Sequence, residues 1–177
     1  MPEDPKDGLP TGAQADPDFL EAEARLLAEQ RHAGQQYGAH PYSVHLAQVR
    51  AVLAAFGYGG ALGVAAWLHD TVEDTATTRE ELAARFGEEV ARLVWAVTGV
   101  GSNRKQRNSS AYEKMRQHPE AVILKLADRI ANVEASRERP DKLAMYRQEH
   151  TSFAQALAGL GDERMWARLR AALGLQP

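Results

Sequence analysis

Helical periodicity dominates this chain of 177 residues. Apolar residues recur three and four positions apart in one segment after another, whereas no segment shows the convincing apolar-polar alternation of a strand. Capping and breaking residues separate these segments, such as Asp16-Pro17 before the first and Gly57 after the second. The sequence therefore predicts an all-α fold, a single compact helical bundle of about eight to ten helices.

Proline, glycine and capping residues also predict where individual helices begin and end. A second helix is expected to open at His40-Pro41, and a third to run from Ala61 to about Asp74. Thr77 and Glu80 match a capping box for the fourth. Residues 103–110 are polar and basic, and we expect them to form a loop.

Composition limits the domain count and the chemistry. The hydrophobic fraction of 44% and the charged fraction of 25% are ordinary for a globular protein, so we expect one domain over residues 16–177. Residues 1–15 contain almost no large apolar side chain and are expected to be a disordered tail. The chain has no cysteine, which excludes disulfides, thiolate metal sites and a cysteine nucleophile.

Net charge and hydropathy limit the partners. A net charge of -3 gives no overall attraction to nucleic acid. The sequence shows no long apolar run and no signal-peptide pattern. We therefore expect a cytoplasmic protein that binds neither nucleic acid nor membrane, and the sequence leaves open whether it is a monomer or a homo-oligomer.

Four acidic or imidazole side chains are concentrated at the end of the predicted third helix. His69 and Asp70 directly follow an apolar stretch, and Glu73 and Asp74 lie one turn further on. Side chains three and four residues apart on a helix are neighbours, so these groups can converge. Three crowded carboxylates near a helix C-terminus repel one another, which a cation would offset. This pattern predicts a metal site, although Glu73 and Asp74 alone could also form a solvated helix end.

A second group of polar residues lies on one face of a later helix, at Lys125, Asp128, Arg129 and Asn132. Taken alone, such a stripe is more typical of a solvent-exposed face than of a functional site. It becomes informative if Asp128 faces the same cavity as His69 and Asp70.

Five motifs, in order and spacing, together resemble a known family. They are His40-Pro41, His69-Asp70-Thr71-Val72-Glu73-Asp74-Thr75, Phe86-Gly87-Glu88-Glu89-Val90-Ala91-Arg92-Leu93-Val94, Val97-Thr98 and Lys125-Leu126-Ala127-Asp128-Arg129. The chain resembles the hydrolase domain of the RelA/SpoT homologues from about Leu20 to Leu157, and within that group it is most similar to the stand-alone small alarmone hydrolases of the HD superfamily.

The resemblance implies a helical, metal-dependent phosphohydrolase, usually loaded with Mn²⁺, although other divalent ions fit the same ligand types. Such an enzyme removes pyrophosphate from the 3′ position of guanosine tetra- or pentaphosphate. Carried over by position, the implied metal ligands are His40, His69, Asp70 and Asp128. Glu73 and Asp74 would position and activate the attacking water.

The resemblance also implies substrate contacts. Cationic and polar groups around the expected site would bind the phosphates and the ribose of a small-molecule nucleotide. These candidates are Asn103, Arg104, Lys105, Arg107, Lys125, Arg129 and Asn132. A mobile, solvated loop is the alternative interpretation of residues 103–107.

One segment departs from the family pattern. Relatives read Ala-His-x-Gly-Gln-x-Arg, a basic residue and a Gly-x-Pro-Tyr-Ile stretch before His-Pro, whereas here Gln35 is followed within five residues by His40. The Arg that contacts the base is missing, and Tyr37, which could stack on any purine, is the nearest equivalent. The base preference therefore stays open between guanine and adenine alarmones, (p)ppGpp or (p)ppApp.

Two alternative functions stay open. One is an HD phosphohydrolase that acts on nucleoside monophosphates or other phosphorylated nucleotides, and the other is a non-catalytic nucleotide-binding module. Among the remaining histidines, His32, His45 and His118 are expected to be structural or solvated, and His150 is given no role.

Overall fold

The structure, a computed structural model, describes residues 16–176. This part of the chain forms ten helices and one short hairpin. The elements in order are α1 (Pro17–Arg31), β1 (Gln36–Tyr37), β2 (His40–Pro41), α2 (Ser43–Ala55), α3 (Ala61–Leu68), α4 (Thr71–Asp74), α5 (Arg79–Phe86), α6 (Glu88–Val97), α7 (Arg104–Gln117), α8 (Ala121–Ala135), α9 (Pro140–Ala156) and α10 (Glu163–Leu173). The predicted all-α class is confirmed. The predicted tail, residues 1–15, lies outside the described residues.

The core is built around α3 and α8. Helix α3 packs against α1, α2 and α6, and all its residues from Gly63 to Leu68 are buried. Helix α8 packs against α2, α6 and α10, with most of its side chains buried, including Asp128. A helix that is buried on nearly every side is apolar on nearly every side, so an ionisable residue on it needs a charged or hydrogen-bonding partner. No helix within residues 16–176 is both long and apolar enough to span a membrane.

The His40-Pro41 dipeptide does not open a helix, which corrects the prediction. It forms β2, pairs antiparallel with β1, and places His40 opposite Tyr37. Gly38 makes the tight turn possible because its φ of 63° lies in the left-handed region, which glycine adopts without steric cost. Helix α2 begins three residues after His40, at Ser43.

The predicted basic loop at residues 103–110 is also wrong, because α7 begins at Arg104. Asn103 caps this helix, its side-chain oxygen accepting a hydrogen bond from the Gln106 amide at 3.0 Å. The anchoring apolar residues Ala111, Tyr112 and Met115 lie only in the second half of the helix. The first half is polar because it faces solvent and the cavity described below.

Two further helix boundaries also differ from the prediction. The N-cap of α5 is Thr78, which accepts a hydrogen bond from the Glu81 amide at 3.1 Å, so the helix is capped one residue later than the expected Thr77. The expected third helix is interrupted, with α3 ending at Leu68 and α4 beginning at Thr71. The interruption falls on His69 and Asp70.

Gly161 should be intolerant of any side chain. Its φ is 82°, and a Cβ there would lie 2.8 Å from Leu126 Cδ1 and 3.0 Å from Val122 Cγ1. The Gly161→Ala variant should lose about 2–5 kcal/mol in unfolding free energy, from left-handed strain of about 1–2 kcal/mol plus overpacking of about 1–3 kcal/mol. Urea denaturation measures this loss.

Gly159→Ala is the matched control, because Gly159 has a similar φ of 78° but nothing within 4 Å of the added Cβ. It should show the strain alone, about 1–2 kcal/mol. Equal losses for the two variants would contradict the packing argument.

Candidate metal centre

Two imidazoles and two carboxylates from three parts of the fold meet at one point. His45 comes from α2, His69 and Asp70 from the turn after α3, and Asp128 from α8. One ligand atom each from His45, His69 and Asp70 lies within 4.8 Å of the others. Asp128 Oδ1 lies 3.3 Å from His45 Nε2 and 3.6 Å from His69 Nε2. The sequence prediction that His69, Asp70 and Asp128 share one site therefore agrees with the arrangement.

The interruption after α3 lets adjacent residues face the same point. On a regular helix, neighbouring side chains point about 100° apart. Asp70 instead has φ -100° and ψ -3°, outside the usual α-helical values. As a result, Asp70 Oδ2 lies 3.0 Å from His69 Nε2.

The structure does not bring His40 to this cluster, which corrects the sequence prediction. His40 is exposed on β2 and lines a separate cavity, whereas His45 is 1% exposed and takes the expected place. The sequence contained a usable pattern, because Gly38-Ala39-His40-Pro41-Tyr42 holds the Gly, Pro and Tyr of the family stretch with one extra residue. The geometry makes His45, which the sequence predicted to be structural or solvated, the candidate ligand in place of His40.

The hydrogen bonding of His69 leaves the lone pair of its Nε2 atom facing a carboxylate, and a cation between the two atoms is needed. His69 Nδ1 lies 2.8 Å from the Ala66 carbonyl oxygen, which can only accept, so Nδ1 carries the hydrogen. In the neutral ring, Nε2 is then an acceptor. It faces the Asp70 carboxylate, another acceptor, and makes no hydrogen bond among the described residues. A proton or a metal ion between them resolves this conflict.

The charges of the cluster agree with that conclusion. Burial disfavours the ionised form of Asp70, but the adjacent His69 outweighs this effect and lowers the pKa of the carboxyl. Burial likewise opposes ionisation of Asp128, whose pKa is nevertheless held well below its usual range by Lys125 and the two histidines. Burial lowers the pKa of His69, and the facing carboxylates reverse the shift and raise it well above its ordinary value. Two ionised carboxylates and two imidazoles are a donor set that suits a divalent cation.

Three neighbouring side chains hold the carboxylates in place. Tyr42 Oη donates to Asp70 Oδ2 at 2.5 Å. Lys125 Nζ donates to Asp128 Oδ2 at 2.8 Å, and Asn132 Nδ2 donates to Asp128 Oδ1 at 2.7 Å. Such partners fix the orientation of metal ligands, and the loss of one typically costs about 10–100-fold in metal affinity or activity.

A cavity of about 230 Å³ opens beside the cluster and contains Glu73 and Asp74 in its wall. Glu73 Oε2 accepts a hydrogen bond from the Gly99 amide at 2.8 Å, and Asp74 Oδ2 accepts one from Gln35 Nε2 at 3.0 Å. Gln35 is in turn bonded to the buried His32 at 2.7 Å. Both carboxylates are therefore oriented beside the cluster, and His32 supports the site indirectly.

The same cavity is lined by cations. Arg104, Arg107, Lys125 and Arg129 all contribute to its wall. Arg104 and Arg129 converge on Glu149 of α9, with their closest contacts both at 2.6 Å. Sequence reasoning missed Glu149, because nothing local marks a residue that acts through contacts 20 and 45 positions away in the chain.

The remaining predicted substrate residues lie further out. Asn103 and Lys105 are exposed and do not line the cavity, and Asn103 serves as the cap of α7. Asn132 borders both this cavity and an adjoining one of about 300 Å³, which is lined by Tyr37, His40 and Arg139. The proposed substrate contacts of these residues stay predictions.

Both the sequence and the fold of this chain resemble those of known proteins. The family model described as HD domain matches residues 24–161. The chain is 40% identical over 113 residues to guanosine-3′,5′-bis(diphosphate) 3′-pyrophosphohydrolase of Aquifex aeolicus, covering 60% of this chain and 16% of that protein. It is 31% identical over 146 residues to the bifunctional (p)ppGpp synthase/hydrolase SpoT of Escherichia coli, covering 77% and 21%.

The name of a third relative states a different activity. The probable GTP pyrophosphokinase of Mycobacterium leprae is 38% identical over 123 residues, which cover 64% of this chain and 15% of that protein. The chain thus spans about a sixth to a fifth of the length of these relatives.

Solved structures share the fold. A metazoan orthologue of SpoT, described as hydrolysing ppGpp, superimposes with a TM-score of 0.73 at 22% identity, covering 94% of this chain and 97% of that one. The protein lmo0812 of Listeria monocytogenes gives a TM-score of 0.59 at 23% identity, covering 73% and 99%. At these identities the likeness establishes the fold.

Proposed function

This chain belongs to the HD domain family, and from that premise we propose that it is a metal-dependent hydrolase that removes the 3′-diphosphate of a nucleotide alarmone. One observation supports this most: two histidines and two ionised aspartates converge beside a cavity that also holds two oriented carboxylates and several cations. Each part of that arrangement matches a requirement of phosphate-ester hydrolysis.

His45, His69, Asp70 and Asp128 would hold the metal ion. We propose Mn²⁺, because mixed imidazole and carboxylate ligands suit it, and other divalent ions with the same preferences are possible. When bound, such an ion polarises a phosphoryl oxygen and makes a coordinated water more acidic. The side chains that surround the ligands carry the rest of the proposed chemistry.

Glu73 and Asp74 would orient the attacking water and accept its proton. Their carboxylates are held by Gly99 and Gln35, so each presents a fixed oxygen to the cavity. Water would attack the phosphorus bonded to the ribose 3′ oxygen. A new phosphorus-oxygen bond forms, the bond to the 3′ oxygen breaks, and that oxygen takes up a proton, which gives pyrophosphate and a 3′-hydroxyl.

The cations would bind the charged substrate. Arg107 and Lys125 line the cavity beside the carboxylates, and Arg104 and Arg129 are partly neutralised by Glu149. A substrate with two diphosphate groups needs several such donors, whereas a monophosphate needs fewer. Asn103 and Lys105 at the outer end of α7 would meet the distal phosphates, and Asn132 would meet the ribose.

Relatives named for pyrophosphate transfer to GTP do not change this proposal. The match to each relative is confined to about a fifth of its length or less. The HD domain match over residues 24–161 includes His45, His69, Asp70 and Asp128, whose donors fit hydrolysis of a phosphate ester. We therefore assign hydrolysis to this chain.

A substrate panel tests the proposal. Purified protein with Mn²⁺ is offered guanosine tetraphosphate, its adenosine analogue and simple nucleoside monophosphates, and released pyrophosphate and orthophosphate are measured separately. We expect pyrophosphate from at least one alarmone and none in excess EDTA. Orthophosphate from monophosphates with no pyrophosphate from either alarmone would support the alternative phosphohydrolase, and no turnover with any substrate would support a binding module.

A further inference from the structure

The hydroxyl of Tyr37 is connected to a proposed metal ligand through one intermediate residue. Tyr37 Oη donates to Asn132 Oδ1 at 3.0 Å, and Asn132 Nδ2 donates to Asp128 Oδ1 at 2.7 Å and to the Asp128 carbonyl oxygen at 3.1 Å. The Asn132 amide is thus held at both ends. Its amide plane, and with it the orientation of the Asp128 carboxylate, depends on Tyr37.

The ring of Tyr37 also contacts a second proposed ligand. It stacks on the His45 imidazole with ring centroids 4.8 Å apart and an angle of 27° between the planes. This contact matters because the two histidines are fixed differently. His69 Nδ1 bonds to the Ala66 carbonyl, whereas His45 Nδ1 is buried and has no hydrogen-bond partner among residues 16–176.

Metal-binding histidines usually donate their second ring nitrogen to a carbonyl or carboxylate, which fixes the plane of the ring. His45 lacks that restraint, and aromatic neighbours are left to supply it. Tyr37 covers one face, and Tyr42 meets the ring edge-on with centroids 5.5 Å apart. Stacked aromatic pairs are worth about 0.5–1.5 kcal/mol beyond their buried area, enough to help fix the plane of a ring whose Nδ1 makes no hydrogen bond.

The hairpin that sets this chain apart from its family pattern places Tyr37 there. The residue lies in β1 and pairs with His40 across the turn at Gly38. Its phenol hydroxyl donates to Asn132 Oδ1 at 3.0 Å, and its ring stacks on His45. The segment therefore supplies a neutral, rigid aromatic donor at the metal site.

We propose that Tyr37 is a positioning residue for the metal, which orients Asp128 through Asn132 and holds the His45 ring by stacking. This role rests on the proposed function, because it presupposes a metal ion between these ligands. It differs from a role in stacking on the substrate base, since the contacts of the ring and hydroxyl are with the metal-site residues themselves.

Mn²⁺ titration of the metal-free protein tests the inference. Tyr37→Phe removes the hydroxyl and keeps the stack, and it should raise the Kd for Mn²⁺ about 10-fold, at the lower end of the 10–100-fold range for partners that hold metal ligands. Tyr37→Ala removes both contacts and should raise the Kd further, towards about 100-fold. The Co²⁺-substituted variants should show altered visible absorption, since ligand orientation changes.

Tyr58→Phe is the matched control, because Tyr58 Oη donates to Asp162 at 2.9 Å, away from the cluster. It should leave the Kd for Mn²⁺ and the Co²⁺ spectrum unchanged. The melting temperature of each metal-free variant shows whether the fold is intact. An unchanged Kd and spectrum in Tyr37→Phe and Tyr37→Ala would overturn the inference while the proposed function stands, whereas a wild-type chain that binds no Mn²⁺ would overturn both.

Discussion

Replacing His45 by alanine should lower the affinity for Mn²⁺ by more than about 100-fold, beyond the loss expected for residues that only support a ligand. His45 Nε2 lies 3.3 Å from Asp128 Oδ1 and 3.7 Å from Asp70 Oδ2, so its removal takes one imidazole from the centre of the cluster. Pyrophosphate release at micromolar Mn²⁺ should fall with it. Isothermal titration of Mn²⁺ into metal-free protein measures the affinity.

The His40→Ala variant is the control, because the His-Pro dipeptide predicts His40 as a metal ligand whereas the structure indicates His45. His40 is exposed on β2 and lies outside the cluster. Its replacement should leave Mn²⁺ affinity unchanged. A large loss in His40→Ala with little change in His45→Ala would contradict the ligand set. Because His45 is buried, the melting temperature of its metal-free variant must also be compared with wild type.

Replacing Glu73 by glutamine should lower kcat by about 10²- to 10⁴-fold while Mn²⁺ binding is retained. The glutamine carbonyl can still accept the hydrogen bond that the Gly99 amide donates to Glu73 at 2.8 Å, so the geometry should survive. What is lost is the ability to accept a proton from water. Steady-state kinetics at saturating Mn²⁺ and alarmone, beside a metal titration, measure the two effects separately.

Glu81→Gln serves as the comparison for this prediction, since Glu81 pairs with Arg31 at 2.6 Å and is not part of the cavity wall. Its kcat should match wild type. If Glu73→Gln turned over at a near-normal rate, proton acceptance would belong to Asp74 alone. In that case Asp74→Asn should show the loss instead.

Local features made much of the fold predictable. Asp16 caps α1, with Pro17 in the first turn, as its position in the sequence indicated. Helix α7 was missed because its first half carries almost no apolar residue, and only the Asn103 cap marks its start. A polar helix of this kind depends on tertiary contacts that a sequence does not display.

Some residues of the candidate site could likewise be predicted from the sequence, and others could not. His69 and Asp70 could be found because they are adjacent and follow an apolar helix, and Asp128 because it lies in a second compact motif. The choice between His40 and His45 depended on the fold, because His40 lies on the exposed strand β2 whereas His45 lies on the buried face of α2. Glu149 and Tyr37 act through residues far away in the chain, so their roles became visible only in three dimensions.

The fate of the oxygen of water tests the central claim most directly. Hydrolysis of an alarmone by the Mn²⁺-loaded protein in ¹⁸O-labelled water, analysed by mass spectrometry, identifies the phosphorus that is attacked. We predict one ¹⁸O atom in the released pyrophosphate, an unlabelled nucleotide product, and no reaction in EDTA. Orthophosphate as the labelled product, or ¹⁸O in the nucleotide, would contradict the proposed attack at the phosphorus bonded to the 3′ oxygen.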